Sequence, residues 1–288
     1  MGLEDRILFK KYFYNYFMNK KIKTIALIAP CGNIRDYNEL NKKIKILEKK
    51  FKIKKYYNEN AQNNYLSDTD KNRITFLEQA FLDDEVDLVL NVRGGYGALR
   101  IVDKINYDLI KNCKKFYSSS SDGSILLSAL SAKTKIKCFH SLMMTNGFVE
   151  NLDENIKIIE NNIFNISFEK FYSTKTKTKG ILWGGNLSSI VSLLSYDAFL
   201  PKKDIILFLD LNEPPYKIDK MLFEIYRNKK LKNKIKGIIF GDFYLKEDEI
   251  NPILNDFAKL FNINCYKTKD ITHKENNITI PYGIEIEL

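Results

Sequence analysis

The chain has 288 residues, of which 44% are hydrophobic and 28% charged, and its formal net charge is +10. This length allows one large domain or two ordinary ones, and the composition excludes an intrinsically disordered chain. The lysines are scattered along the whole chain without a zinc-finger spacing or a basic helix. We therefore attribute the charge to solvated faces and predict no nucleic-acid partner.

The first 21 residues are aromatic and basic. Charged residues precede and interrupt their apolar part, and no small-residue cleavage site follows, so the pattern does not predict a signal peptide. A short amphipathic helix is the expectation for this extension. No apolar run in the chain reaches the length of a membrane span, and we predict a cytoplasmic protein.

Strands and helices alternate through the first half of the chain. The predicted strands are Thr24–Ala29, Lys52–Tyr57, Val86–Val92 and Phe116–Ser118, and the predicted helices are Asp36–Phe51, Thr69–Leu82, Leu99–Ile105 and Asp122–Leu130. This order predicts a doubly wound, Rossmann-like parallel sheet. Ligands bind such sheets beyond the carboxyl ends of the strands, where the loops containing Pro30, Gly94 and Ser121 are expected.

The polar stretch Glu150–Lys179 is interpreted as a linker into a second α/β domain. Strands are predicted there at Ile205–Leu209, Gly237–Phe240 and Gly283–Leu288, with helices after Leu187, at Asp219–Asn228 and at Asp248–Phe261. The predicted organisation is an extension at 1–21, a Rossmann-like domain at 22–155 and a C-terminal domain at 156–288.

Cysteine and histidine usage limits the chemistry. Four cysteines lie far apart without a CxxC pair: Cys31, Cys113, Cys138 and Cys265. That spacing favours reduced thiols over a disulfide framework. With only two histidines, His140 and His273, no zinc-type cluster can be assembled, and we predict no metal.

Ser121 lies between a strand and an apolar helix. A serine at such a turn can present its hydroxyl at the sheet edge, with the amide of Asp122 available to an oxyanion; a capping serine fits the same pattern. Gly94-Gly95 after the Val86–Val92 strand could bring a second amide close, or could simply form a tight turn. This is neither a GxGxxG nor a Walker motif, so a nucleotide site is not indicated.

His273 lies in a polar loop and could act as a general base at neutral pH, or could merely be exposed. His140 follows an apolar stretch and is interpreted as structural. Asp210 and Glu213 come directly after the Ile205–Leu209 strand, where a carboxylate could orient the base; a solvated turn is the alternative for Glu213.

Five ordered blocks, running from about Ile25 onward, resemble the LD-carboxypeptidases, also called muramoyltetrapeptide carboxypeptidases. The blocks are Arg93–Gly97 with Leu99, Arg100 and Asp103; Ser121, Asp122 and Ser124; Gly180–Leu187; Ile206–Asp219; and His273–Gly283. The third block and the spacing from His273 to Pro-x-Gly are the most specific.

The resemblance implies a Ser–acid–His triad, without metal or cofactor, that removes the terminal D-alanine from a cytoplasmic murein tetrapeptide. Its N-terminal domain would be Rossmann-like and would supply Ser121. Its C-terminal domain, with a barrel-like sheet, would supply His273 and the acid. The amides of Asp122 and of Gly94 or Gly95 would form the oxyanion hole, and Arg93 and Trp183 are predicted substrate-binding residues. Family members are often dimeric, so a homodimer is an expectation.

Two departures from the family pattern stand out. The segment after Leu209 is one residue short, so either Asp210 or Glu213 would be the acid; we favour Asp210 because aspartate serves other triads. Ser119 replaces the usual glycine two residues before the nucleophile, and strain in this turn is expected. A related amidase that inactivates a peptide-nucleotide antibiotic, or a non-catalytic muropeptide-binding homologue, are the alternative functions.

Overall fold

The computed structural model describes residues 5–9, 20–61, 63–162, 164–174, 178–243, 245–272 and 277–288. Within these ranges the strands are β1 (Asp5–Phe9), β2 (Thr24–Ile28), β3 (Lys52–Tyr56), β4 (Leu88–Asn91), β5 (Phe116–Ser119), β6 (Lys137–His140), β7 (Phe164–Tyr172), β8 (Lys179–Asn186), β9 (Ile205–Leu211), β10 (Ile235–Phe243), β11 (Asn264–Lys267), β12 (Ile280–Pro281) and β13 (Glu285–Glu287). The α-helices are α1 (Tyr37–Leu47), α2 (Asp70–Leu82), α3 (Tyr107–Ile110), α4 (Ser124–Lys133), α5 (Leu152–Asn161), α6 (Leu187–Ser192), α7 (Pro215–Arg227), α8 (Lys229–Lys232) and α9 (Glu247–Phe261).

The first sheet has the strand order β12-β6-β5-β4-β2-β3, and its five N-terminal strands are parallel. Every residue of β2 and β4 is buried. Along β2, Ile25 and Leu27 join one hydrophobic cluster, whereas Ala26 and Ile28 join the other. Because successive side chains of a strand point to opposite faces, helices must cover both sides of this sheet. The predicted doubly wound sheet is confirmed.

The second sheet has the order β1-β7-β11-β10-β9-β8-β13 and is curled into a half-barrel. Its centre, from β8 to β11, is parallel, and antiparallel strands flank it. All seven residues of β9 are buried, as expected for a central strand with the sequence IILFLDL. The predicted α/β class with a second, barrel-like sheet is therefore confirmed.

Two predicted elements are wrong, and a third lies largely outside the described residues. The supposed linker at 150–179 contains α5 and β7, because buried Ile158 and Ile159 and the alternation of β7 supply apolar faces that a mostly polar composition hides. Residues 5–9 of the extension form a strand paired antiparallel with β7, whereas residues 1–4 and 10–19, where the predicted helix would also fall, lie outside the described residues. The helix expected at Leu99–Ile105 is a single 3₁₀ turn, Ala98–Arg100.

The two sheets are joined by a late segment of the chain. Ile280 of β12 pairs with His140 of β6, and the amide of Tyr282 donates to Cys138 O at 2.8 Å. The phenol of Tyr282 also donates to Gly184 O, on β8, at 3.2 Å.

The domain boundary near residue 155 stays a prediction. In the ranges given above, no helix combines the length and apolarity needed to cross a membrane.

Candidate active site

Ser121 adopts a left-handed backbone conformation, with φ of 54°. In the described part of the chain, the other non-glycine residues with positive φ are three asparagines, which tolerate this region far better than serine does. The turn lies between β5 and a 3₁₀ turn at Ser121–Gly123 that leads into α4. The cap positions fall on Ser120 and Gly123, and neither makes a side-chain capping bond, so Ser121 does not act as a helix cap. A strained strand-to-helix turn is the setting of a nucleophilic serine.

The glycine loop after β4 lies directly against this serine. A Cβ atom added to Gly94 would be 2.9 Å from Ser121 Cβ and 3.0 Å from its Oγ. Gly95 has φ of 98°, a conformation open to glycine. The structure therefore brings Gly94 and Gly95 together with Ser121 and Asp122, the four residues predicted to form the nucleophile and oxyanion hole.

Ser119 is accommodated by a glycine four residues later. Its hydroxyl accepts a hydrogen bond from Asn91 Nδ2 at 2.7 Å. A Cβ atom on Gly123 would lie 1.8 Å from Ser119 Oγ, which is far inside van der Waals contact. The positive φ falls on Ser121 and not on Ser119. The strain of the turn is thus located at the serine itself, and Gly123 makes room for the unusual Ser119.

The carboxylate of Asp122 is buried and makes its hydrogen bonds inside the protein. It accepts a hydrogen bond from the Ala98 amide at 2.8 Å and another from the Cys31 thiol. Burial raises the pKa of Asp122, while these hydrogen bonds and the nearby Arg73 guanidinium oppose the rise. Asp122 therefore ties the turn of Ser121 to the end of the glycine loop.

Sequence reasoning missed Arg73, whose guanidinium is completely buried beneath these loops. The signal was present, because residue 73 lies four before Leu77 and seven before Ala80 and so falls on the apolar face of α2. A charged residue on a buried helix face requires partners.

A cleft of about 190 Å³ opens beside Ser121 and is lined by both halves of the chain. Gly95, Tyr96 and Asp122 line it from the first half, and Asn186, Ser189 and Glu213 are among its lining residues from the second. Ser189 Oγ donates to the carbonyl of Ser121 at 3.3 Å. Glu213, the alternative acid, is half-buried at the edge of this cleft.

Asp210, the favoured acid, is buried on β9 in register with Asn186 of β8. His273 lies outside the described residues. The described ends of its loop are held together, since the Thr272 amide donates to Asn277 Oδ1 at 2.8 Å. The chain just before Thr272 lies beside β9: a Cβ atom on Gly241 would be 2.5 Å from Ile271 O and 3.1 Å from Leu209 O.

The two predicted substrate-binding residues lie away from the cleft lining that the structure describes. Arg93 Nη1 donates to both the backbone and the side-chain oxygen of Asn33. Burial and the neighbouring Arg35 lower the pKa of Arg93. Trp183 is 1% exposed and donates from its indole nitrogen to Ser128 Oγ at 2.9 Å, as a core residue does. His140 is also fully buried, with its ring against Phe208.

Two α/β sheets with a strained serine turn at the cleft between them define a protein of the hydrolase type. Family models for the N-terminal and C-terminal domains of LD-carboxypeptidases match residues 25–141 and 179–288. Because these matches cover most of the chain, it belongs to the LD-carboxypeptidase family of peptidases.

Known relatives agree with this assignment. A Bacillus subtilis protein named "Probable murein peptide carboxypeptidase" is 28% identical over 239 residues, which cover 77% of this chain and 75% of the relative. The crystal structure of muramoyltetrapeptide carboxypeptidase from Oxalobacter formigenes superposes with a TM-score of 0.76 at 22% identity, over 92% of this chain and 94% of that one. An MccF-like protein from Bacillus anthracis superposes with a TM-score of 0.80 at 20% identity, over 93% of each chain. These structures share the fold.

Proposed function

We propose that this protein is a serine-type LD-carboxypeptidase of the cytoplasm that removes the terminal D-alanine from murein tetrapeptide during peptidoglycan recycling. The observation that carries the proposal is the left-handed Ser121, held against Gly94 in a cleft lined by both halves of the chain. Family membership and the murein peptide named in a 28% identical relative support the choice of substrate.

In the proposed mechanism, His273 takes the proton of Ser121 Oγ while the oxygen attacks the carbonyl that precedes the D-alanine nitrogen. The amides of Asp122 and of Gly94 or Gly95 hold the oxyanion. The imidazolium then protonates the departing amine, and the C–N bond breaks to leave an acyl-enzyme. Water, deprotonated by His273, hydrolyses the ester and restores Ser121.

Asp210 is the proposed acid that orients His273. It is buried at the end of a central strand, beside the chain segment that leads into the loop of His273. Glu213 lines the open cleft instead, where a carboxylate can contact substrate. We expect Asp210→Asn to lower kcat by about 10⁴-fold, as loss of a triad carboxylate does, and Glu213→Gln to lower it far less. If Glu213→Gln lowered kcat more than Asp210→Asn does, Glu213 would be the acid.

The decisive experiment is D-alanine release from purified murein tetrapeptide. Ser121→Ala should lose at least about 10⁴-fold in kcat, because the nucleophile of a triad cannot be bypassed. Ser120→Ala is the matched control, since this neighbour has ordinary extended backbone and should retain activity within a few-fold. Release of D-alanine at the wild-type rate by Ser121→Ala would refute the mechanism.

A fluorophosphonate probe and a substrate panel separate the alternatives. Labelling of Ser121 in the folded wild-type protein is expected for the enzyme, whereas no labelling would favour a protein that only binds muropeptides. Hydrolysis of an aminoacyl sulfamoyl nucleoside in preference to the tetrapeptide would favour the antibiotic-inactivating amidase.

A further inference from the structure

The guanidinium of Arg73 joins two of the loops that surround the candidate site. Its Nη1 atom donates to Pro30 O, in the loop after β2, and to Gly97 O, in the loop after β4, at 2.9 Å. Its Nη2 atom donates to Asp70 Oδ1 at 2.6 Å, and the whole side chain is inaccessible to solvent. Arg73 itself does not line the cleft beside Ser121.

The backbone of the glycine loop is held by hydrogen bonds at both of its ends. At its start, Gly94 O accepts from the Gly32 amide at 2.9 Å. At its end, Gly97 O accepts from Arg73, and the next amide, that of Ala98, donates to the Asp122 carboxylate at 2.8 Å. The segment between these bonds includes Gly95, one of the predicted oxyanion donors, and it lines the cleft together with Ser121.

The local sequence is adapted to this guanidinium. Gly97 has φ of 136°, and a Cβ atom there would lie 2.7 Å from Arg73 Nη1 and 2.7 Å from Leu66 Cδ2. Any side chain at position 97 would therefore push the arginine away from the carbonyl it binds. A planar guanidinium can donate to two carbonyls and a carboxylate at once, which the single ammonium of lysine cannot do in the same geometry.

Burying a guanidinium is expensive, and an apolar side chain of similar volume fills such a site at least as well. The stability of the fold alone therefore gives little reason for an arginine here. What an apolar residue cannot do is fix the carbonyls of two different loops in one relative position.

We propose that Arg73 is a positioning residue for the reaction: it holds the Gly94–Gly97 loop so that the loop amides meet the oxyanion formed at Ser121. This inference rests on the proposed function. Because oxyanion donors act mainly on the transition state, displacement of the loop should lower kcat and leave KM nearly unchanged.

The test compares Arg73→Met and Arg73→Lys with Arg100→Met in the full-length protein. Arg100 is the matched control because its guanidinium pairs with the same Asp70, at 3.0 and 3.1 Å, from the exposed side. Its contact with Gly97 O is made by its backbone amide, at 3.2 Å, which Arg100→Met leaves in place. Both Arg73 variants should lose up to about 10²- to 10³-fold in kcat for D-alanine release, the range for loss of an oxyanion donor. Their KM should change less than about threefold, and Arg100→Met should stay within about twofold of wild type in both constants.

Arg73→Lys keeps the charge and most of the volume, so it decides the outcome if Arg73→Met does not fold. Arg73→Met and Arg100→Met could lower the melting temperature equally while kcat per fluorophosphonate-labelled site stays unchanged. That result would mean that Arg73 is only structural and would overturn the proposal. A lysine variant that fails to fold would overturn it too. A wild-type protein that neither labels nor releases D-alanine would instead refute the proposed function.

Discussion

The pairing of Ser119 with Gly123 makes a quantitative prediction about coupled substitutions. Gly123 has helical angles, φ of −65° and ψ of −10°, which alanine adopts without strain. By itself Gly123→Ala should therefore stabilise the protein by about 0.4–1 kcal/mol, through the unfolded chain. In the native protein the new Cβ atom would lie 1.8 Å from Ser119 Oγ, so the expected result is a destabilisation of about 1–3 kcal/mol from overpacking.

Ser119→Gly removes the clashing hydroxyl and its Cβ atom. In that background the next contact of the new Cβ atom is with Asn91 Nδ2, at 2.9 Å, the end of a side chain that can shift once its bond to Ser119 is gone. Gly123→Ala should then become stabilising again, so the coupling free energy between the two positions should be about 1.4–4 kcal/mol. The wild type, the two single variants and the double variant form a double-mutant cycle. Their free energies of unfolding are measured by urea denaturation, with circular dichroism as the signal. The loss of the Asn91 bond in Ser119→Gly cancels, because it occurs on both sides of the comparison. An equal cost of Gly123→Ala in both backgrounds would show that the contact does not govern this turn.

Two further predictions concern the same turn. Because Ser121 has φ of 54°, Ser121→Gly should be more stable to urea than Ser121→Ala by about 1 kcal/mol, and equal stabilities would argue against the left-handed conformation. Burial raises the pKa of Asp122 above its usual value near 3.8, so the folded state retains a proton that the unfolded state has lost. The free energy of unfolding of the wild type, relative to Asp122→Asn, should therefore fall as pH rises from about 3.8 through the raised pKa and then level off. A pH-independent difference would contradict this.

Much of the fold and part of the site could be predicted from the sequence. Apolar runs such as those of β2 and β9 belong to strands buried on both faces, and their recognition needs no tertiary information. The loops at the carboxyl ends of β4 and β5 then had to meet at one edge of the sheet, which is where Gly94 and Ser121 lie. The proximity of these residues thus follows from the topology of a parallel sheet.

The remaining features depend on contacts between distant parts of the chain. The composition around β7 is polar because only alternate residues, beginning with Phe164 and Ile166, face the core. Helical spacing places Arg73 on the apolar face of α2, but it does not identify the two carbonyls, 43 and 24 positions away, that the guanidinium binds. The room for Ser119 likewise depends on the missing side chain of Gly123. Local propensity carries none of this information.

The pairing of β12 with β6 has a consequence for biosynthesis. Ile280 pairs with His140, which lies 140 residues earlier, so the outer edge of β6 stays unpaired until position 281 has left the ribosome. An unpaired edge is a template for pairing with other chains, and residues of β6 such as Phe139 are apolar and buried in the finished protein. During translation the sheet that carries Ser121 is therefore vulnerable to aggregation, and it becomes complete only when the second sheet is nearly finished.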